Sequence, residues 1–449
     1  MQKIINTPAP APGKLGKAEL YALGLGQVIG IGVIALVGPC IAITGYSVWL
    51  AYLLAVVFGF VSLIPYVFVT STLRFGSGIY SYVASTLDYR VSGMLAISFI
   101  PTTMGLGGLG TVFGVYLSSM FPSVNAKFAG IAIILVFFVI NLFGVNILAK
   151  VQKLATWLLI AALLLFCIAG IFQIHYPQVF EVAADNFMAA GSKGFILAIA
   201  TFMYSTVGYS LLMTYGRDAK NAKRDMPWAY IAVAISLLIL YVGVAIVAVG
   251  VLPIKDVAGK SMTNVARAIL PTPLFLFFMI GGPIMALLTT INASMLYYQI
   301  PFRQSCEDGW LPKSWNINNK HGVCLPILVF CTIMGVLPQV FDFSITTITN
   351  NLQLLTSSLS FVYFAAFFML PKKYPEAWKR SHMHVPNVVY YILVSIALLV
   401  QISIFVNICK ALTPQIVIIS LVAMVICMVY GIFRAKSPLV QIKTSTWED

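Results

Sequence analysis

An all-α membrane protein of about twelve transmembrane helices is the fold class this sequence predicts. Three observations predict it. Sixty per cent of the 449 residues are apolar and only 9% are charged, against about 25% charged in soluble domains. Mean hydropathy is +0.96. The apolar residues also fall into runs long enough to cross a bilayer, which needs roughly 20 residues per helix. A soluble globular reading is excluded.

The runs place spans near 19–44, 47–71, 92–120, 127–147, 153–173, 194–214, 228–252, 272–300, 324–341, 348–370, 387–409 and 413–434. The third reads as one helix or two pieces. The eighth follows Pro271 and Pro273. The connecting segments are short, so no separate soluble domain is expected. No apolar run precedes Glu19, so the first span itself is expected to direct insertion rather than a cleaved leader.

The net charge of +14 could suggest nucleic acid, but its distribution argues otherwise. With twelve spans and an inward N-terminus, all but Lys127, Lys193, Lys255, Lys260, Arg267 and Lys410 of the 27 basic residues fall on the cytoplasmic side. That is the positive-inside bias. It predicts cytoplasmic N- and C-termini in the cell membrane, with the bilayer rather than nucleic acid as the partner. The seven cysteines are scattered, none paired at metal-ligand spacing. They read as small buried hydrophobes, and no metal site is expected.

The first span carries Gly24-Leu-Gly-Gln-Val-Ile-Gly30-Ile-Gly32-Val and then Pro39. Glycine costs about 1 kcal/mol in a helix interior relative to alanine. Irregular backbone survives at bilayer depth only against protein or a water-filled cavity. A helix weakened at Gly30 and Gly32 is therefore a candidate ligand site. The sixth span repeats the device at Phe202-Met-Tyr204-Ser-Thr-Val-Gly208. Interrupted helices at matching positions of two halves mark inverted-repeat transporters. Spans one and six match if the repeat is five helices long. This gives a 5+5 inverted repeat with broken helices 1 and 6: an N-terminal tail 1–18, a first repeat 19–173, a second repeat 194–370, two added helices 387–434 and a tail 435–449. Small residues also serve plain helix packing, and that is the preferred reading of Met104-Gly-Leu-Gly-Gly-Leu-Gly110.

Four motifs then carry a resemblance. They are Gly26-Gln-Val-Ile-Gly30-Ile-Gly32-Val; Arg74-Phe-Gly76-Ser-Gly78-Ile-Tyr80-Ser-Tyr82 leading to Gly93; Gly208 through Lys220-Asn221 and Arg224 to Pro227; and Arg303 with Glu307-Asp308-Gly309-Trp-Leu-Pro312. In this order the chain resembles the amino acid–polyamine–organocation (APC) transporter superfamily, in a divergent amino acid permease branch. Ile31, Ser210, Ala222, Arg217 and Phe75 depart from the usual pattern.

The chemistry follows from the breaks. A half-helix starting after an unwound stretch offers free N–H groups to a carboxylate, here around Ile31, Gly32 and Val33. The opposite half-helix ends in free carbonyls, around Tyr204, Ser205 and Val207, which suit an ammonium group. The resemblance implies the same pair of surfaces, with Val28 added on the first. Ser294 and Asn292 of span eight either face the substrate side chain or bind helices together.

No Asp, Glu, Lys, Arg or His falls within the predicted mid-membrane stretches. A cationic substrate would be expected to recruit one, so a neutral amino acid is preferred. A nucleobase or an amine on the same fold is the alternative, and an exchanger is another. No cofactor is expected beyond a coupling ion, Na+ or H+. The position where some proton-coupled relatives carry a lysine aligns with Leu159, whereas Thr289-Thr290 resembles the hydroxyl pair of sodium-coupled members. An enzyme is not expected, because the four histidines lie in predicted loops; nor is an ATP-driven pump, because no phosphate-binding loop occurs, or a sensor, which would normally add a soluble signalling domain.

Overall fold

The computed structural model describes residues 4–30, 32–183, 185–206, 208–342 and 345–448. The chain is helical almost throughout. The first span is not continuous. Helix α1 (Lys17–Val28) stops where the glycines begin, and α2 (Gly32–Ala35) and α3 (Val37–Thr44) resume beyond them. Helix α4 (Val48–Thr72) keeps Pro65 in its interior. Strand β2 (Arg74–Phe75) and α5 (Ile79–Thr86) form the next connection, turned by Gly78 at φ +58°.

The third span is indeed two pieces, α6 (Tyr89–Thr102) and α7 (Gly105–Met120), with Pro101 just before the joint. Helices α8 (Ala126–Asn141) and α9 (Val145–Ile171) meet at Gly144, at φ +85°. The fourth span therefore ends earlier than hydropathy suggested. Apolar residues run straight through this turn, and only the left-handed glycine punctuates it.

The second half begins with α10 (Gly191–Met203), tight turns over Tyr204–Thr206 and Gly208–Arg217, and α11 (Ala222–Val251). The short α12 (Ile254–Val257) and α13 (Thr263–Ile269) lead to α14 (Thr272–Met279). A π-helical turn at Ile280–Ile284 joins α14 to α15 (Met285–Glu307). Its sequence, Ile-Gly-Gly-Pro-Ile, lacks one N–H at Pro283 and resists regular winding at two glycines. Helices α16 (Leu325–Val340), α17 (Ile345–Phe367), α18 (Leu370–Lys373), α19 (Pro375–Arg380), α20 (Asn387–Ala411) and α21 (Pro414–Arg434) complete the bundle.

Among the described residues, eight helical stretches are long and apolar enough to cross a membrane, and three apolar helices are shorter. The protein is an all-α, multi-pass membrane protein. Helix α1 lies inside it, packed against α9, α11 and α15. In α20 and α21 only 17% of the most apolar stretch is buried, so these two helices stand at the periphery, facing lipid.

Both tails return to one end of the bundle. Strand β1 (Ile4–Asn6) pairs in parallel with β3 (Ile442–Thr444), and β2 pairs antiparallel with β4 (Thr446–Trp447). The C-terminal tail thus runs as a strap between the N-terminal tail and the β2 connection.

Candidate functional site

The two weakened stretches lie against each other. Helix α1 ends at Val28, and Ile29 leaves the helix at φ −78°, ψ 90°. The N–H of Gly30 turns back to the Val28 carbonyl at 3.0 Å. Opposite, α10 ends at Met203 and the chain tightens over Tyr204–Thr206. A Cβ on Gly32 would lie under 3.0 Å from Ser205 Cβ, and a Cβ on Gly208 would lie 3.1 Å from the Val28 Cα and from the Gln27 carbonyl oxygen. The glycines are therefore needed for contact between the breaks as well as for breaking the helices.

Of the residues singled out by sequence, Val28, Val33, Ser205, Ser294, Thr289 and Thr290 are buried. Ile31 and Val207 lie outside the described residues, as does the side chain of Tyr204. Gly32 meets Ser205, Gly208 meets Val28, and a Cβ on Gly30 would lie 3.3 Å from Thr290 Oγ1. Thr290 Oγ1 lies 3.0 Å from the Gly26 carbonyl, 3.4 Å from that of Ile29 and 2.9 Å from that of Ala286. One hydroxyl proton faces three carbonyl oxygens. Thr289 instead bonds within its own helix, to Met285 and Ala286 at 2.9 Å.

The eighth-span polar residues tie helices together. Ser294 accepts from Gln27 Nε2 at 3.1 Å, and Asn292 Nδ2 donates to Gln152 Oε1 at 2.7 Å. Gln152 and Thr156 in turn reach the Ala22 carbonyl, fixing α9 against α1.

Two residues that the sequence reading passed over close the site. The Tyr241 hydroxyl of α11 lies 3.3 Å from both the Val28 and the Ser205 carbonyl oxygens. The Tyr52 hydroxyl of α4 pairs with Ser205 Oγ at 3.1 Å, and its ring stacks on Phe202 with centroids 3.8 Å apart. Each is fully buried, and a buried phenol needs a polar partner. That is the signal through which tyrosines inside apolar runs could have been suspected. The described partners at the two breaks are hydroxyls and main-chain groups, none of them charged.

Several ionisable residues gather at the tail-bearing end. A cavity of about 260 Å³ opens there, lined by Gly76, Ser77, Arg217, Asp218, Ile300, Arg303, Gln304 and Glu307. Beside it Asp308, 1% exposed, accepts from Tyr80 Oη at 2.8 Å, Gln304 Nε2 at 3.0 Å and the Lys443 N–H of the strap at 3.0 Å. Burial pushes its carboxyl up to about 7 despite those three donors. A Cβ on Gly309, at φ +83°, would run into the Leu439 carbonyl of the strap. The Glu-Asp-Gly motif is thus where the strap docks. Among the described residues no group of three or more His, Cys, Asp or Glu is placed to hold a metal ion.

Comparison with known proteins agrees with this architecture. The amino acid permease family model matches residues 15–433. The chain is 24% identical over 324 residues to the methylthioribose transporter of Bacillus subtilis, covering 66% of this chain and 68% of that one. It is 23% identical over 267 residues to the branched-chain amino acid permease BcaP of the same organism, covering 55% and 56%. It is 24% identical over 348 residues to the vacuolar cationic amino acid transporter 2 of Arabidopsis thaliana, covering 70% and 54%. With a helical membrane bundle, two contacting helix breaks and a family match over almost its whole length, the chain belongs to the amino acid permease family of the APC transporters.

Proposed function

We propose that this protein carries a neutral amino acid across the cell membrane by alternating access, binding the zwitterion between the two breaks. The observation that carries the reading is the contact of the breaks through Gly32, Ser205, Gly208 and Val28, with carbonyls on one side and no charged partner described. The amino group of the substrate binds the main chain around Tyr204, Ser205 and Val207. The carboxylate takes the N–H groups around Ile31, Gly32 and Val33. Val28 and Ser294 flank the substrate. In this reading the protein has a twelve-helix frame of two inverted five-helix units, 19–173 and 194–370, with helices 387–434 added and both tails in the cytoplasm. The two units rock about the midplane site and expose it to one side at a time.

Sodium fits the coupling role on the oxygen cluster of Thr290, Gly26, Ile29 and Ala286, because hard cations favour oxygen ligands. There the Gly26 and Ile29 carbonyls share the Thr290 hydroxyl with Ala286, which also accepts from Thr289. A second reading, a polar solute without an amino group, is favoured by one finding. The methylthioribose transporter is as similar to this chain as the amino acid carriers are, and fold does not fix substrate.

The test is a thermal-shift screen of the purified protein against amino acids, methylthioribose and nucleobases, with and without sodium. A ligand at 100 times its Kd stabilises by about 2.7 kcal/mol. A raised Tm with neutral amino acids supports the first reading. A raised Tm with another solute and none with any amino acid refutes it.

A further inference from the structure

Tyr241 stands on neither broken helix, yet its hydroxyl meets both. Helix α11 is apolar over most of its length, and a phenol within it, fully buried, has to find an acceptor. It finds two. The Val28 carbonyl belongs to the last residue of α1, and the Ser205 carbonyl lies in the turn after α10. Both are 3.3 Å away. An O–H···O bond is usually about 2.7–2.8 Å. A hydroxyl has one proton, so the two acceptors share it, and each receives only part of that bond, the Val28 carbonyl beside its 3.0 Å bond from the Gly30 N–H. The position of the ring is held independently. It packs on Tyr52 with centroids 4.6 Å apart, and Tyr52 is fixed by Phe202 and by Ser205 Oγ.

The geometry points to Tyr241 as a positioning residue that holds the carbonyls of Val28 and Ser205 in the ligand-free protein and yields them to the amino group of the substrate. This inference rests on the zwitterion reading above. An ammonium carries three N–H donors and a positive charge, so it serves both carbonyls fully where one hydroxyl serves each in part. Before substrate binds, the hydroxyl gives the Ser205 carbonyl a donor and adds a second to the Val28 carbonyl, which also accepts the Gly30 N–H. It also keeps the breaks in register. The amino group then competes with a weak internal donor, and the exchange makes recognition of the amine conditional on moving a side chain of α11.

The experiment compares wild type with Tyr241→Phe in detergent. Kd is measured by calorimetry for L-alanine, L-leucine and L-threonine, and for their counterparts lacking the amino group, propanoate, 4-methylpentanoate and 3-hydroxybutanoate. Losing the competitor is expected to tighten amino acid binding on the order of fivefold, the equivalent of one net hydrogen bond. The desamino acids should change by less than about twofold. The empty variant should melt below wild type, having lost the donor.

A purely structural tyrosine would alter both ligand sets by the same factor, and that result overturns the inference. Unchanged amino acid affinity overturns it too. If wild type already binds none of the amino acids, the zwitterion reading falls first, and the two failures are told apart before any substitution is made. Should Tyr241→Phe not fold, 3-fluorotyrosine at position 241 makes a stronger donor of nearly the same shape. Amino acid binding should then weaken, and unchanged or tighter binding contradicts the proposal.

Discussion

Gly32→Ala adds a single methyl group where the two breaks touch. Its Cβ would fall under 3.0 Å from Ser205 Cβ and 3.3 Å from Ser205 Oγ. Carbon atoms rest at about 3.5–4.0 Å, so the breaks must part by roughly one ångström. Ser205 cannot step aside, because its hydroxyl is held by Tyr52 and by the Phe202 carbonyl at 2.8 Å. Overpacking of this kind costs about 1–3 kcal/mol. Against it stands a gain of about 1 kcal/mol from replacing glycine by alanine at a helical position. The net change in stability is therefore small, of the order of 1 kcal/mol. Binding is another matter, since a misplacement near 1 Å in a preorganised site costs on the order of a hundredfold. The expected outcome is a Tm within a few degrees of wild type and an affinity for the preferred amino acid lower by one to two orders of magnitude. Calorimetric Kd and Tm on one preparation decide it. Gly32→Leu should abolish binding while the protein still inserts. Unchanged affinity in Gly32→Ala would refute the placing of substrate between the breaks.

Other perturbations test other parts. Thr290→Val removes the hydroxyl that faces three carbonyls and should lower sodium affinity at least about tenfold if sodium is the coupling ion. Thr289→Val, whose hydroxyl bonds only within its own helix, should leave it unchanged, and equal effects would contradict the assignment. Asp308→Asn tests the buried carboxyl at the tail-bearing end. Because the folded protein holds this proton more tightly than the unfolded chain, the ionised aspartate penalises folding as pH rises from 3.8 to about 7. The penalty reaches on the order of 4 kcal/mol and is complete above that range. The Tm of the variant relative to wild type should therefore climb between pH 4 and 7 and level off beyond, and a flat difference would show that Asp308 does not titrate there. Trp447→Ala removes the indole N–H that donates to the Thr7 carbonyl at 2.9 Å and the ring beneath Arg74. Losing about 1–2 kcal/mol of local stability should raise trypsin cleavage after Lys443 by roughly tenfold, and an unchanged rate would mean that the strap is held elsewhere.

Much of the helical layout was readable because hydrocarbon imposes a simple rule, one apolar run for each crossing. The run over 228–252 is α11, and that over 387–409 is α20, each within a few residues. The breaks were legible for the same reason, since Gly30, Gly32 and Gly208 weaken helices where nothing polar would rescue the backbone. What escaped was everything set by partners distant in sequence. Strands β1 and β3 are each three residues long and lie at opposite ends of the chain. Neither Ile-Ile-Asn nor Ile-Lys-Thr carries a periodic signal, and pairing alone defines them. Gly144 was hidden within apolar sequence, so the turn between α8 and α9 read as more helix. Tyr241 looked like any aromatic in an apolar helix until the acceptors across from it were known.

The absence of mid-membrane charge in the sequence has a structural counterpart in how the broken backbone is hydrogen-bonded. Carbonyls freed or strained near the breaks are met by hydroxyls from other helices. Tyr241 serves Val28 and Ser205 and Thr290 serves Gly26 and Ile29, while Thr156 reaches the Ala22 carbonyl within α1 itself. Further along, Tyr230 takes the Ser210 carbonyl and accepts the Met213 N–H. Neutral donors suit this task, since an unpaired charge at this depth would cost far more than an unpaired hydroxyl. They also make the arrangement reversible. Each bond is modest, near 1 kcal/mol net, so under the proposed function a zwitterion or a cation that replaced one or two of them would tip the balance between two packings. Because the donors come from α9, α11 and α15, a ligand that took over their acceptors would act on three helices at once. Occupancy of a small site can in this way reach the whole bundle.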